Sequence, residues 1–145
     1  MNQIRPIALC VFLHTDRILV FEGFDKVKGE TFFRPLGGGI EFGERGEDAI
    51  RRELKEEIDV EVGEVRYIGA LENIFTFNGR PYHEIALVYD GALIDSGLYD
   101  RAVIAGKEAN GDPIRAIWKD LDEFESGESI LYPEDLLDLL SLERQ

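Results

Sequence analysis

Three consecutive glycines, Gly37-Gly38-Gly39, follow Pro35-Leu36. A run without side chains has maximal backbone freedom and nothing to pack, so it predicts a break in regular structure. It also marks a place where backbone can approach a ligand closely. Residues 47–58 then show helical periodicity. Ile50, Leu54 and Ile58 form one stripe, and Glu47 and Asp48 stand in the first turn, where the helix dipole favours acids.

The remaining patterns place strands around this loop and helix. Residues 7–13 are uniformly apolar, His14-Thr15-Asp16 is turn-like, and 18–21 is apolar again, which predicts two buried strands joined as a hairpin. Residues 23–30 read as a connecting loop. Strands are expected over 65–71, 74–77 and 82–89, with Asn78-Gly79 as a hairpin turn between the last two. The Gly-, Asp- and Ala-rich stretch 90–113 reads as a long loop, a kind of segment that is often functional. Residues 114–118 suit a last strand, and 133–142 a terminal helix with Pro133 at its first position. With no repeat or linker, residues 1–145 are expected to form a single α/β domain.

Composition excludes several classes of function. At 44% hydrophobic and 32% charged, with no long apolar run, the chain reads as a soluble globular protein. Thirty acidic residues against 16 basic ones give a formal charge of −14, which disfavours nucleic acid and anionic membranes as partners. The single cysteine, Cys10, lies in the apolar run, so it forms no internal disulfide and reads as a small buried residue. With no targeting signal at the N-terminus, a cytoplasmic location is expected.

Some of the acidic residues are patterned. Glu53, Glu56 and Glu57 stand at i, i+3 and i+4, which puts three carboxylates within an arc of roughly 100° on one helix face. Like charges at i,i+4 weaken a helix unless a cation lies between them. Arg52 can reach Glu56 and offset part of this, and Glu57 borders the apolar stripe. One reading is a solvated acidic face. The other is a site for a hard cation such as magnesium, which takes oxygen ligands and is commonly completed by substrate phosphates.

The spacing is specific: Gly38, five residues, Glu44, seven residues, then Arg52-Glu53-Leu54-Lys55-Glu56-Glu57-Ile58-Asp59-Val60. It closely resembles the box of the Nudix (MutT-like) hydrolases. That resemblance implies an α/β/α sandwich with a mixed β-sheet. It also implies hydrolysis of a nucleoside diphosphate linked to another moiety, with water attacking phosphorus and Mg2+ or Mn2+ as cofactor. Residue by residue, it implies that Glu53, Glu56 and Glu57 are metal ligands or, for one of them, the base. Arg52 and Glu44 would support them, Gly37 or Gly38 would offer a carbonyl to the metal, and Gly39 and Glu41 belong to the same loop. In some members a glutamate outside the box is the base, and Glu84 and Glu108 are the candidates here. Two positions depart from the family: Asp59 replaces the glycine near the end of the box, and Leu36 stands where a proline is usual, with Pro35 one place earlier.

Substrate selection is less patterned. Phe32, Phe33, Phe75, Phe77, Tyr82 and Trp118 are available to stack on a base, though strand aromatics usually face inward. Lys26, Lys28 and Arg34 precede the box and are candidates for phosphate contact. His83, beside Glu84, reads as catalytic or as an ordinary strand histidine. The partner expected is a small nucleotide-derived diphosphate, and a homodimer is compatible with the sequence. Rival readings are a nucleotide sensor on the same fold without turnover, and an acidic metal-binding or interaction module.

Overall fold

In the computed structural model, which describes residues 2–143, the longest apolar run is the middle of the sheet. Strand β1 (Ile4–Val11) is buried on both faces. Ala8 and Cys10 join the core beneath the first helix, while Val11 joins the opposite one. The backbone N–H and C=O groups of a buried strand need partners on both edges, and β1 pairs antiparallel with β4 (Glu30–Gly39) and parallel with β6 (Arg80–Leu93). It does not pair with β3 (Arg17–Asp25), so the expected hairpin is corrected. Only β2 (Leu13–His14) folds back on β3, after the chain turns at Phe12.

Three further strands complete the sheet: β5 (Val62–Phe77), β7 (Val103–Lys107) and β8 (Pro113–Asp120), in the order β5-β6-β1-β4-β3-β8-β7. Helix α1 (Gly46–Ile58) covers one face through Ala49, Ile50, Leu54 and Ile58. Helices α2 (Leu121–Glu125) and α3 (Leu136–Glu143) cover the other through Leu121, Phe124, Leu136 and Leu140. The expected α/β/α sandwich around a mixed sheet is therefore present.

Several boundaries differ from the sequence expectation. The glycine run does not break regular structure: it is the last part of β4. The first half of that strand pairs with β3 and the second half, Leu36 to Gly39, with β1. The glycines are needed for close approach: at Gly37 (φ 141°) a Cβ would strike the Ala8 carbonyl oxygen. The 23–30 loop shrinks to a four-residue turn, 26–29, because the buried Asp25 carboxylate accepts the N–H groups of Val27 and Lys28, each at 3.0 Å.

Strand β5 is continuous where two strands were expected, with its register irregular at two points nearer its start. The 90–113 stretch is not a long loop. It holds the end of β6, a 3₁₀ turn (Ser96–Asp100) capped by Asp95, and β7. Pro133 is not the first residue of the terminal helix, which begins at Leu136.

Helix α1 ends on Asp59, whose left-handed backbone (φ 53°, ψ 47°) lets Asp59 and Val60 donate to the carbonyls of Lys55 and Leu54. Arg51 fastens the helix to the start of β5 by donating to the carbonyls of Val62 and Gly63, at 2.5 and 2.9 Å.

Candidate active site

Strand β4 and helix α1 carry the box residues, and they meet where Gly38 lies under Glu53. A Cβ on Gly38 would lie 2.6 Å from the Glu53 carboxyl carbon, so only glycine lets that carboxylate rest on the strand. One helical turn further on, Glu57 shares a hydrogen bond with Glu53. Burial, that hydrogen bond and the charge of Glu53 together push the Glu57 carboxyl up to about 8, Glu108 adds to the rise, and Arg34 opposes it.

Arg52 organises the carboxylates behind this pair. Its Nε and Nη2 grip Glu44 with both oxygens, at 2.8 and 2.9 Å, and Nη2 also reaches the Gly39 carbonyl at 2.9 Å. Its Nη1 donates to Glu53 at 3.0 Å and to Glu56 at 3.4 Å, with Glu41 more distant at 3.7 Å. The fork holds the Glu44 carboxyl down to about 2, helped by the Glu41 N–H. Arg52 and Glu44 thus fix the position of Glu53 from behind.

The pair opens into a cleft of about 770 Å³. Its walls include Gly37, Gly38, Glu53, Glu56, Glu57, Glu84 and Glu108, the mutually contacting rings of Phe32, Phe75, Phe77, Tyr82 and Tyr132, and the cations Lys28 and Arg34. Glu84, on β6, is half-buried; burial raises its pKa against the pull of Arg5, 3.5 Å away, and of Arg34. Glu108 lies in the exposed turn between β7 and β8.

Other candidates lie elsewhere. Phe33 packs on Phe124 in the far core, and Trp118 stacks on Tyr99 and His14. Lys26 sits outside the cleft, its N–H on the Asn78 side chain at 2.8 Å. His83 is also outside, its Nε2 buried without a hydrogen-bond partner among the described residues. Glu41, Glu44 and Gly39 do not line the cleft either.

Several cleft residues escaped the sequence reading, among them Lys107, Arg5 and Tyr132. Arg5 shares a face of β1 with Ile7 and Leu9, so period-two alternation could have found it. Tyr132 donates to Glu30 at 2.8 Å across 102 residues of chain, a contact with no local signal.

Among the described residues, no three carboxylate, imidazole or thiolate groups already converge as a metal cage. Glu56 is drawn to Arg52 and its side chain is 60% exposed. The donor chemistry still suits a hard cation. Glu53 and Glu57, one helical turn apart in the same cleft, would offer oxygen ligands, and magnesium needs only one or two carboxylates beside water and phosphate oxygens.

The NUDIX domain family model matches residues 3–136. The proteins named NAD-capped RNA hydrolase NUDT12 of Homo sapiens and Macaca fascicularis are each 38% identical over 66 residues, 46% of this chain. That match spans only 14% of their length. Among solved structures, a MutT NUDIX hydrolase from Burkholderia pseudomallei aligns with TM-score 0.61 and 22% identity, over 83% of this chain and 86% of that one. A NUDIX hydrolase from Nitrosomonas europaea aligns with TM-score 0.64 and 18% identity, over 96% and 87%. At those identities the structures speak for the fold, and the family model adds sequence agreement across most of the chain: this protein belongs to the NUDIX domain family.

Proposed function

We propose that this protein hydrolyses a phosphoanhydride bond in a nucleotide-derived diphosphate, with a divalent metal held by Glu53 and Glu57, joined by Glu56 and the Gly37 carbonyl. The observation that carries this reading is Glu53, seated on Gly38, with Glu57 one helical turn away, both lining a cleft that is also lined by a cluster of aromatic rings. Magnesium or manganese bound there supplies charge neutralisation for the phosphates and lowers the pKa of a water.

The chain's own residues do the rest. Arg52 and Glu44 hold Glu53 in place. Glu84 is the base outside the box: it is half-buried, it lines the cleft, and its raised pKa moves it toward the range in which a base works near neutral pH. The rings of Phe32, Phe75, Phe77 and Tyr82 offer stacking faces for the base or the second moiety. The buried thiol Cys10 is in keeping with a reducing, cytoplasmic setting.

A panel of nucleoside triphosphates, ADP-ribose, NAD, dinucleoside polyphosphates and sugar nucleotides, assayed with and without magnesium, tests the proposal. The relatives named as NAD-capped RNA hydrolases make a short NAD-capped RNA a further member of that panel, although a net charge of −14 disfavours a long grip on RNA. Metal-dependent release of a nucleoside monophosphate is expected. Tight nucleotide binding with no turnover of any member would identify a sensor instead.

A further inference from the structure

Four cations line the cleft: Arg5, Lys28, Arg34 and Lys107. Arg5 is 3.5 Å from Glu84 and its side chain is 60% exposed. Lys28 donates to the Thr76 carbonyl at 3.1 Å and lies 3.9 Å from Asp25. Lys107 ends β7 and is exposed. Arg34 differs from all three. It is half-buried, its guanidinium carbon lies 5.3 Å over the ring of Phe21, and it makes no hydrogen bond or ion pair with another described side chain. The ring of Phe21, its register partner on β3, lies under this cation without using its N–H donors.

Its place along the strand matters as much. Arg34, Leu36 and Gly38 share one face of β4, and Gly38 is where Glu53 rests. Four residues of strand span roughly 13 Å, while Glu57 is only about 6 Å along the helix from Glu53. Arg34 is also the one cation felt by both Glu57 and Glu84. Along this face Arg34 stands between Phe32, one of the clustered rings, and Gly38, where Glu53 rests, with its donors uncommitted.

We propose that Arg34 is a substrate-binding residue that clamps the diphosphate: its guanidinium, lying over Phe21, takes non-bridging oxygens of the phosphoryl group nearer the aromatic rings. The proposal rests on the phosphoanhydride reading above. A guanidinium suits this role because its planar fork matches two phosphate oxygens, where an ammonium offers a single point charge. The diphosphate would then be gripped from two sides, by metal at the carboxylate pair and by Arg34 from the strand. It also explains why a cation is kept unpaired among carboxylates in an acidic protein.

The test compares wild type with Arg34→Ala and Arg34→Lys in two measurements: calorimetric binding of inorganic pyrophosphate with magnesium, and kcat and KM on the best substrate of the panel. Thermal melts confirm that each variant is folded. Pyrophosphate affinity is expected to fall roughly 10- to 100-fold in Arg34→Ala, the size expected for losing a charged hydrogen-bonded contact, with KM rising in parallel. Arg34→Lys should recover part of the affinity. Unchanged affinity and KM in a folded Arg34→Ala would overturn the clamp and leave the hydrolase reading standing. Wild-type protein that neither binds pyrophosphate nor turns over any panel member would overturn both.

Discussion

The Glu53 carboxylate lies directly on the backbone of Gly38, close enough that a single methyl group there would come within 2.6 Å of its carboxyl carbon. The atom in the way is the far end of a flexible side chain, so the fold can yield by swinging Glu53 aside. Gly38→Ala should therefore melt within a few degrees of wild type while kcat falls at least about 10-fold, since displaced ligating groups typically cost that much or more. Activity that follows the melting temperature would mean that Gly38 serves packing alone.

This contact also shows what the sequence could and could not disclose. The shared face of Glu53, Glu56 and Glu57 was legible because helix periodicity fixes relative directions within α1, whereas Gly38 was tied to them only by the resemblance of the spacing to the Nudix box. The partner strand was not legible, because three glycines look the same whether they make a loop or let β4 press against Ala8 and Glu53. On β6, Tyr82 and Glu84 line the cleft while His83 between them does not, a period-two alternation that the sequence reading did not use to decide His83. Tyr132 and Glu30, joined across the chain, left no local trace, and Phe33 and Trp118 could not be told from cleft aromatics until the sheet order was known.

Asp59 stands in left-handed backbone at the end of α1, which costs an aspartate less than most residues, and its carboxylate meets Lys55 at 2.6 Å. Asp59→Gly relieves the backbone and loses an exposed ion pair, two small effects of opposite sign. A melting temperature within a few degrees of wild type and kcat within about twofold are expected. A large gain in kcat would mean that the aspartate distorts the adjoining carboxylates.

Arg52 is bidentate on Glu44 and also touches Glu53 and the Gly39 carbonyl, a geometry that lysine cannot reproduce. Arg52→Lys should lower kcat roughly 10- to 100-fold with KM little changed, because it loosens a ligand without removing a charge. Glu44 carries a second signature. Its folded pKa, about 2, lies below its ordinary value of 4.5, so its stabilisation is present above about 4.5 and is lost as pH falls toward 2. Melts taken across that acid range should show a shallower decline in Glu44→Gln than in wild type.

Glu84 and Glu108 both reach the cleft, but only Glu84 is half-buried on a strand; Glu108 sits in an exposed turn. A general base contributes typically 10²- to 10⁴-fold, so Glu84→Gln should fall in that range while Glu108→Gln changes kcat by less than about 10-fold. The plot of log kcat against pH should lose its acid limb in Glu84→Gln alone. The reverse pattern would move the base to the β7–β8 turn.

Glu57 gives the site a pH dependence that can be read without substrate. Its carboxyl, raised from 4.5 to about 8 by burial and by Glu53, keeps its proton in the folded, metal-free protein through neutral pH, whereas the unfolded chain has released it. The folded state binds more protons between about 4.5 and 8, so this group's contribution is full below 4.5 and disappears as pH rises through 8. Metal-free protein should lose stability over that interval, and Glu57→Gln should lose less of it. A cation on the carboxylate pair must displace the proton, so magnesium should bind more weakly at lower pH, release a proton near neutrality, and raise the melting temperature most at the alkaline end. Calorimetry in buffers of different ionisation enthalpy counts that proton directly, and a count near zero at pH about 7 would show that the metal does not bind through Glu57.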